Sequence, residues 1–168
     1  MSNLGSRGSL AMRIVMLGIS AWAATVVSAG AQETVSIAVP SAVSFSVTDV
    51  SRSTAGSPSP TTISFSNASL NSGKALRVSV QADAAAFTPP SGASIPALNV
   101  SWSTVGAAGG TGWNGTLSAT SYTLVFQSDP SPTSGHADLA WTLAAPGSGI
   151  RAGGHQLTIR WKVESITP

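Results

Sequence analysis

The chain has 168 residues, 42% of them apolar and only 8% charged, with 17 Gly, 10 Pro and no Cys. So little charge excludes a coiled coil or a charged solvating tail, while the apolar share is enough for a packed core. The formal charge of +2 and a pI near 9.7 carry meaning only once the charges are placed along the chain.

Arg7 and Arg13 precede an apolar run from Ile14 to Val27, which ends in Ser28-Ala29-Gly30-Ala31. A positive start, an apolar centre and small residues at −3 and −1 (Ala29 and Ala31) predict a Sec-type signal peptide over residues 1–31. The alternative is a retained anchor helix. The run is short for that, and no Lys/Arg cluster follows it. No Cys follows either, which excludes a lipoprotein anchor. The expected address is extracytoplasmic: periplasm, cell surface or secreted.

Past Ala31 the basic residues are Arg52, Lys74, Arg77, Arg151, Arg160 and Lys162, balanced by Glu33, Asp49, Asp83, Asp129, Asp138 and Glu164. The basic pI therefore belongs largely to the leader and does not argue for a nucleic-acid partner. Cleavage also leaves no stable membrane span. Residues 32–168 are expected to form one domain, large enough to hold a core without disulfides.

Along that domain the apolar residues recur with period two. Val35, Ile37 and Val39 come first, then, after Pro40, Val43, Phe45 and Val47. A Ser/Pro/Gly turn region, 51–60, leads to Ile63 and Phe65, and Leu76, Val78 and Val80 follow. Next come Leu98, Val100 and Trp102, and Gly106 to Gly112 reads as a hairpin tip. Tyr122, Leu124 and Phe126 share a parity, as do Leu139, Trp141 and Leu143. The chain closes on Leu157, Ile159, Trp161 and Val163. This predicts an all-β fold after the signal helix: a single antiparallel β-sandwich, Ig-like, of about eight or nine strands.

Chemical groups are few. His136-Ala-Asp138 reads as a polar pair at a strand end, with no third or fourth metal ligand near it in sequence. No G-x-S-x-G elbow, paired carboxylates or calcium loop is present. The sequence predicts a non-enzyme with no catalytic residue, metal or cofactor. The Asn-x-Ser/Thr matches at Asn67, Asn99 and Asn114 are what chance supplies in a Ser/Thr-rich chain. Among the tryptophans, Trp102, Trp141 and Trp161 are in register with apolar neighbours and read as core. Trp113, between glycines, reads as the exposed one. Trp113, with Trp102 as a second candidate, could stack on a sugar ring, against the plainer role of covering one end of the sandwich.

The closing stretch Gly153-Gly-His-Gln-Leu-Thr-Ile-Arg-Trp-Lys-Val163 resembles the last strand of secreted bacterial fimbrial or pilus subunits of the spore-coat-U-like type. The leader, the small size and the Ser/Thr-rich alternating strands extend the likeness as a rhythm. The Cys pair common in that group is missing, as is a clear Gly-rich groove strand. The resemblance implies an Ig-like fold and a structural, surface-assembly role. The rival expectation is a secreted module that binds carbohydrate or protein.

Assembly is expected to involve the first strand. Val35, Ile37 and Val39 share a face, and Pro40 keeps the segment out of a central ladder. Either the segment opens its own sandwich, or residues 33–39 add as a strand to a neighbour's open edge, by self-association or with a partner subunit.

Overall fold

The computed structural model describes residues 32–168; the signal peptide expected over 1–31 lies outside them. Ten strands follow one another: β1 (Thr34–Ala38), β2 (Thr54–Ala55), β3 (Thr61–Ser69), β4 (Ala75–Ala82), β5 (Val100–Ala108), β6 (Gly110–Gly112), β7 (Gly115–Thr116), β8 (Thr123–Ser128), β9 (Gly135–Leu143) and β10 (Ile159–Ile166). One sheet has the order β1-β3-β9-β5-β7, with β2 also paired to β9, and the other runs β10-β4-β8-β6. All named pairings are antiparallel.

This is the antiparallel two-sheet sandwich that the period-two pattern predicts. Its strand order is its own. From β3 to β10 every strand lies in the sheet opposite its predecessor, an alternation closer to a jelly roll than to the ABED/CFG order of an immunoglobulin constant domain. Strands next to each other in sequence therefore do not pair in this stretch. Every ladder there closes a longer loop of chain.

Alternation puts the expected residues inside. Ile63, Phe65, Leu76, Val78, Val80, Val100, Trp102, Leu139, Trp141, Leu143, Leu157 and Ile159 are all buried. A fully buried side chain of this size is worth about 1.5–3 kcal/mol against exposure. Trp102 and Trp141 are cross-strand partners, with ring centroids 5.4 Å apart at 51°.

Four local departures have physical causes. After Pro40, Val43, Phe45 and Val47 are completely buried without forming a ladder strand. Only Ser44 bridges, exchanging two backbone bonds of 2.8 Å with Ser57. Leu98 sits in a 3-10 turn, Ala97–Asn99, and is exposed. On β8 the register shifts between its partners Val78 and Ser79, so that Val125 and Phe126 are both buried while Tyr122 is exposed. An inserted residue breaks strict alternation in this way. Trp161, expected in the core, is only half-buried, as is Val163. Both lie on β10, an outermost strand, where the covering sheet runs out.

The Gly106–Gly112 stretch is a crossing between sheets and not a hairpin tip. Gly106–Ala108 belongs to β5 and pairs with β9, whereas Gly110–Gly112 pairs with β8 in the opposite sheet. Gly109 turns the chain with φ of +69°, and a Cβ there would lie 2.5 Å from the Ser134 carbonyl oxygen. Further along, a Cβ on Gly112 would overlap the Thr104 side chain. The glycines are there because two backbones and two sheets approach closely.

Candidate functional site

The described residues form one small cleft beside this core. This cleft of about 160 Å³, lined by Asp83, Ala84, Ala86, Gln156 and Thr158, opens beside the Thr88–Gln156 bridge. Small-molecule sites run to roughly 300–1,000 Å³. Among the described residues no three His, Cys, Asp or Glu side chains gather in a metal-binding group. His136 Nε2 and Asp138 Oδ2 stand 3.9 Å apart on β9, and Asp138 Oδ1 accepts a 2.6 Å bond from the Thr62 hydroxyl. That is a partly exposed polar pair braced by its neighbour strand.

The tryptophans divide cleanly. Trp102 is 3% exposed, lies against Trp141 and donates its indole N–H to the Trp113 carbonyl at 2.8 Å. Its burial corrects the expectation that it could stack on a ligand. Trp113 is 48% exposed. Its backbone is held from both sides, its carbonyl by Trp102 and its N–H by Val125 O at 2.8 Å. A second exposed aromatic went unnoticed in the sequence: Tyr122, with Lys162 Nζ 5.6 Å from its ring centre. The β8 irregularity hid it, because strict alternation groups Tyr122 with the buried Phe126.

The sheet edges are more distinctive. The two strand orders end in β1 and β7 in one sheet and in β10 and β6 in the other, and the two-residue β2, paired to β9 alone, adds a short fifth edge. Free edges invite pairing with other chains unless they are short, charged or bent. Strands β7 and β6 have two and three residues. Strand β10 carries Arg160, Lys162 and Glu164, with Lys162 Nζ 2.7 Å from Glu164 Oε1 and Arg160 paired with Asp83. Alternating charge on a long final strand is a legible edge signal, and it marks β10 from sequence.

Strand β1 has none of these protections. It is five residues long, Thr-Val-Ser-Ile-Ala, without a charge. It pairs with β3 of its own chain, through Ser36–Ser66, Ile37–Phe65 and Ala38–Ser64. The one irregularity in this ladder puts the extra residue on β3, where Asn67 has φ of +51°. The outer edge of β1 therefore runs without a bulge. Val35, Ile37 and Val39 pack on the core but stay only partly buried. The structure thus places residues 34–38 in their own sandwich, with one side of the strand open.

Glu33 anchors the start of β1. Its Oε1 accepts the Asn71 N–H at 2.9 Å, which ties β1 to the residues just past β3. That bond is the largest of the causes that hold the Glu33 carboxyl below its ordinary value, while burial works in the opposite direction and the Lys74 charge adds to the lowering. Strands β1 and β10 are each outermost in their own sheet. Half-buried apolar residues meet the solvent along both strands: Val35, Ile37 and Val39 on one side, Trp161 and Val163 on the other. The Trp161 indole N–H is shielded from solvent and has no acceptor, an arrangement rare for a buried donor.

Compared with protein-family models, curated proteins and solved structures, the chain matches none.

Proposed function

We propose that this is an exported, non-enzymatic structural subunit that assembles at a surface through the free edge of β1. The observation that carries this reading is the contrast among the sheet edges. The others are blunted by length or charge, and β1 is uncharged, unbulged and backed by partly exposed Val35, Ile37 and Val39. Backbone pairing at such an edge supplies affinity, and alternate side chains supply fit. Residues 32–168 carry balanced charge, so copies do not repel one another strongly. The leader read from residues 1–31 supplies the route out of the cytoplasm.

Light scattering of protein expressed from the full chain, over a wide concentration range, tests the proposal. Self-association that grows with concentration is the expected result, and a monomer throughout overturns it. Intact mass of the same material is expected to begin at Gln32. A mass that retains residues 1–31 removes the export step.

Glycan binding is the second reading, favoured by one observation: Trp113 keeps an open ring on a pinned backbone. A glycan array with the wild type and Trp113→Ala decides it, because a loss of signal in the variant is required.

A further inference from the structure

Pairing of extended strands leaves few possibilities for what covers β1. Its uncharged stretch is bounded by Glu33 on one side and Pro40, which cannot donate to a ladder, close behind on the other. Residues that face each other across an antiparallel pair point to the same side of the sheet, so an added strand must bring apolar residues opposite Val35 and Ile37. The chain itself holds such a strand. Read in reverse, 34–38 sets Val35 against Ile37 and Thr34 against Ala38, with Ser36 opposite Ser36.

We infer that β1 pairs antiparallel with β1 of a second copy about a two-fold axis at Ser36. This rests on the assembly reading above and names its partner and register. The register is the one of greatest overlap that keeps apolar residues on the inner side; a shift by one residue mixes the faces. It also places Glu33 opposite the partner's Val39, so that like charges do not oppose each other. The joined sheets form one continuous sheet across two copies. The half-buried Val35 and Ile37 of each copy gain the neighbours they lack, and the contact is self-complementary, as a two-fold interface requires.

The absence of Cys from the chain makes single-cysteine mapping a direct test. Thr34, Ser36 and Ala38 all expose their side chains, so Thr34→Cys, Ser36→Cys and Ala38→Cys leave the core untouched. In the proposed pair two Ser36 Cα atoms face each other at about 4.5–5.5 Å, within the roughly 4.4–6.8 Å span of a disulfide. The two Thr34 residues are four positions out of step, about 14 Å apart. Air oxidation of the full-chain variants is therefore expected to give Ser36→Cys mainly as a covalent dimer. Thr34→Cys alone and Ala38→Cys alone stay largely free of the covalent link, and their mixture crosslinks. Equal crosslinking at all three positions, or none at Ser36→Cys in protein that still self-associates, overturns this pairing and leaves the assembly reading standing. A chain that is monomeric at every concentration overturns both.

Discussion

The indole N–H of Trp141 donates to the hydroxyl of Thr61 at 2.7 Å, inside the core and across 80 positions of sequence. Both residues are buried, and Thr61 lies opposite Leu139 on the neighbouring strand. The bond lets a large polar aromatic sit at the centre of the sandwich without an unpaired donor. Thr61→Val keeps the shape and removes the acceptor. It is expected to cost about 1–3 kcal/mol, because the indole is left unsatisfied. Trp141→Phe should remove most of that sensitivity. Chemical denaturation of both single variants and the double variant measures the coupling; additive losses would deny the bond any energetic role.

Trp161 is expected to matter less than Trp141. Truncating the buried Trp141 to Ala should cost about 3–5 kcal/mol, from lost transfer energy plus a cavity. Trp161 is half-buried at the end of its sheet, so Trp161→Ala should cost about 1–2 kcal/mol in dilute monomer. Denaturation midpoints of the two variants under the same conditions check the order, which equal losses, or a larger loss at Trp161, would overturn.

The sheet crossing is expected to tolerate no side chain. Gly109→Ala combines a positive φ with a Cβ 2.5 Å from a backbone oxygen, so it should cost more than about 2 kcal/mol. Gly147 has φ of +84° with nothing within 4 Å of its Cβ position. Gly147→Ala should therefore cost only the backbone term, about 1–2 kcal/mol. Thermal unfolding of the pair separates clash from conformation, and the gap between them is the quantity to measure.

Glu33 makes the anchoring of β1 depend on pH. The folded chain holds its carboxyl below the ordinary value, through the Asn71 N–H first. A lowered folded value means that the contribution is fully present above the ordinary glutamate value of 4.5. It is lost as pH falls through the lowered one. Glu33→Gln is thus expected to be less stable than the wild type at pH 7, with the difference shrinking in acid. Paired denaturation curves at neutral and acid pH read this directly. A difference independent of pH would mean that the carboxylate charge plays no part.

Much of the sandwich was legible in the sequence because one physical rule governs it: alternate residues of a strand face opposite sides, and one side must be dry. That rule placed Ile63, Phe65, Val78, Val80, Leu139, Trp141 and Ile159 inside without reference to which strands pair. It also grouped Val35, Ile37 and Val39 on one face, the face that β1 turns toward the core. Of the two tryptophans read as possible stacking residues, Trp113 is open, and Trp102 is closed by Trp141.

Periodicity is silent on partners, and that is where tertiary structure decided the rest. Strand order depends on contacts between residues far apart in the chain, so the sheet-to-sheet alternation from β3 to β10 could not be read locally. The glycines at 109–112 carry the same local signal in a hairpin tip as in a crossing; only the nearness of Ser134, Gln127 and Thr104 tells them apart. Trp161 has the parity of a core residue, but its cover depends on where the opposite sheet ends. For β1 the sequence determined a short, uncharged, amphipathic strand. Pro40 already kept it out of a central ladder; the fold decided that β3 is its partner, with one row of backbone groups bound and the other left free.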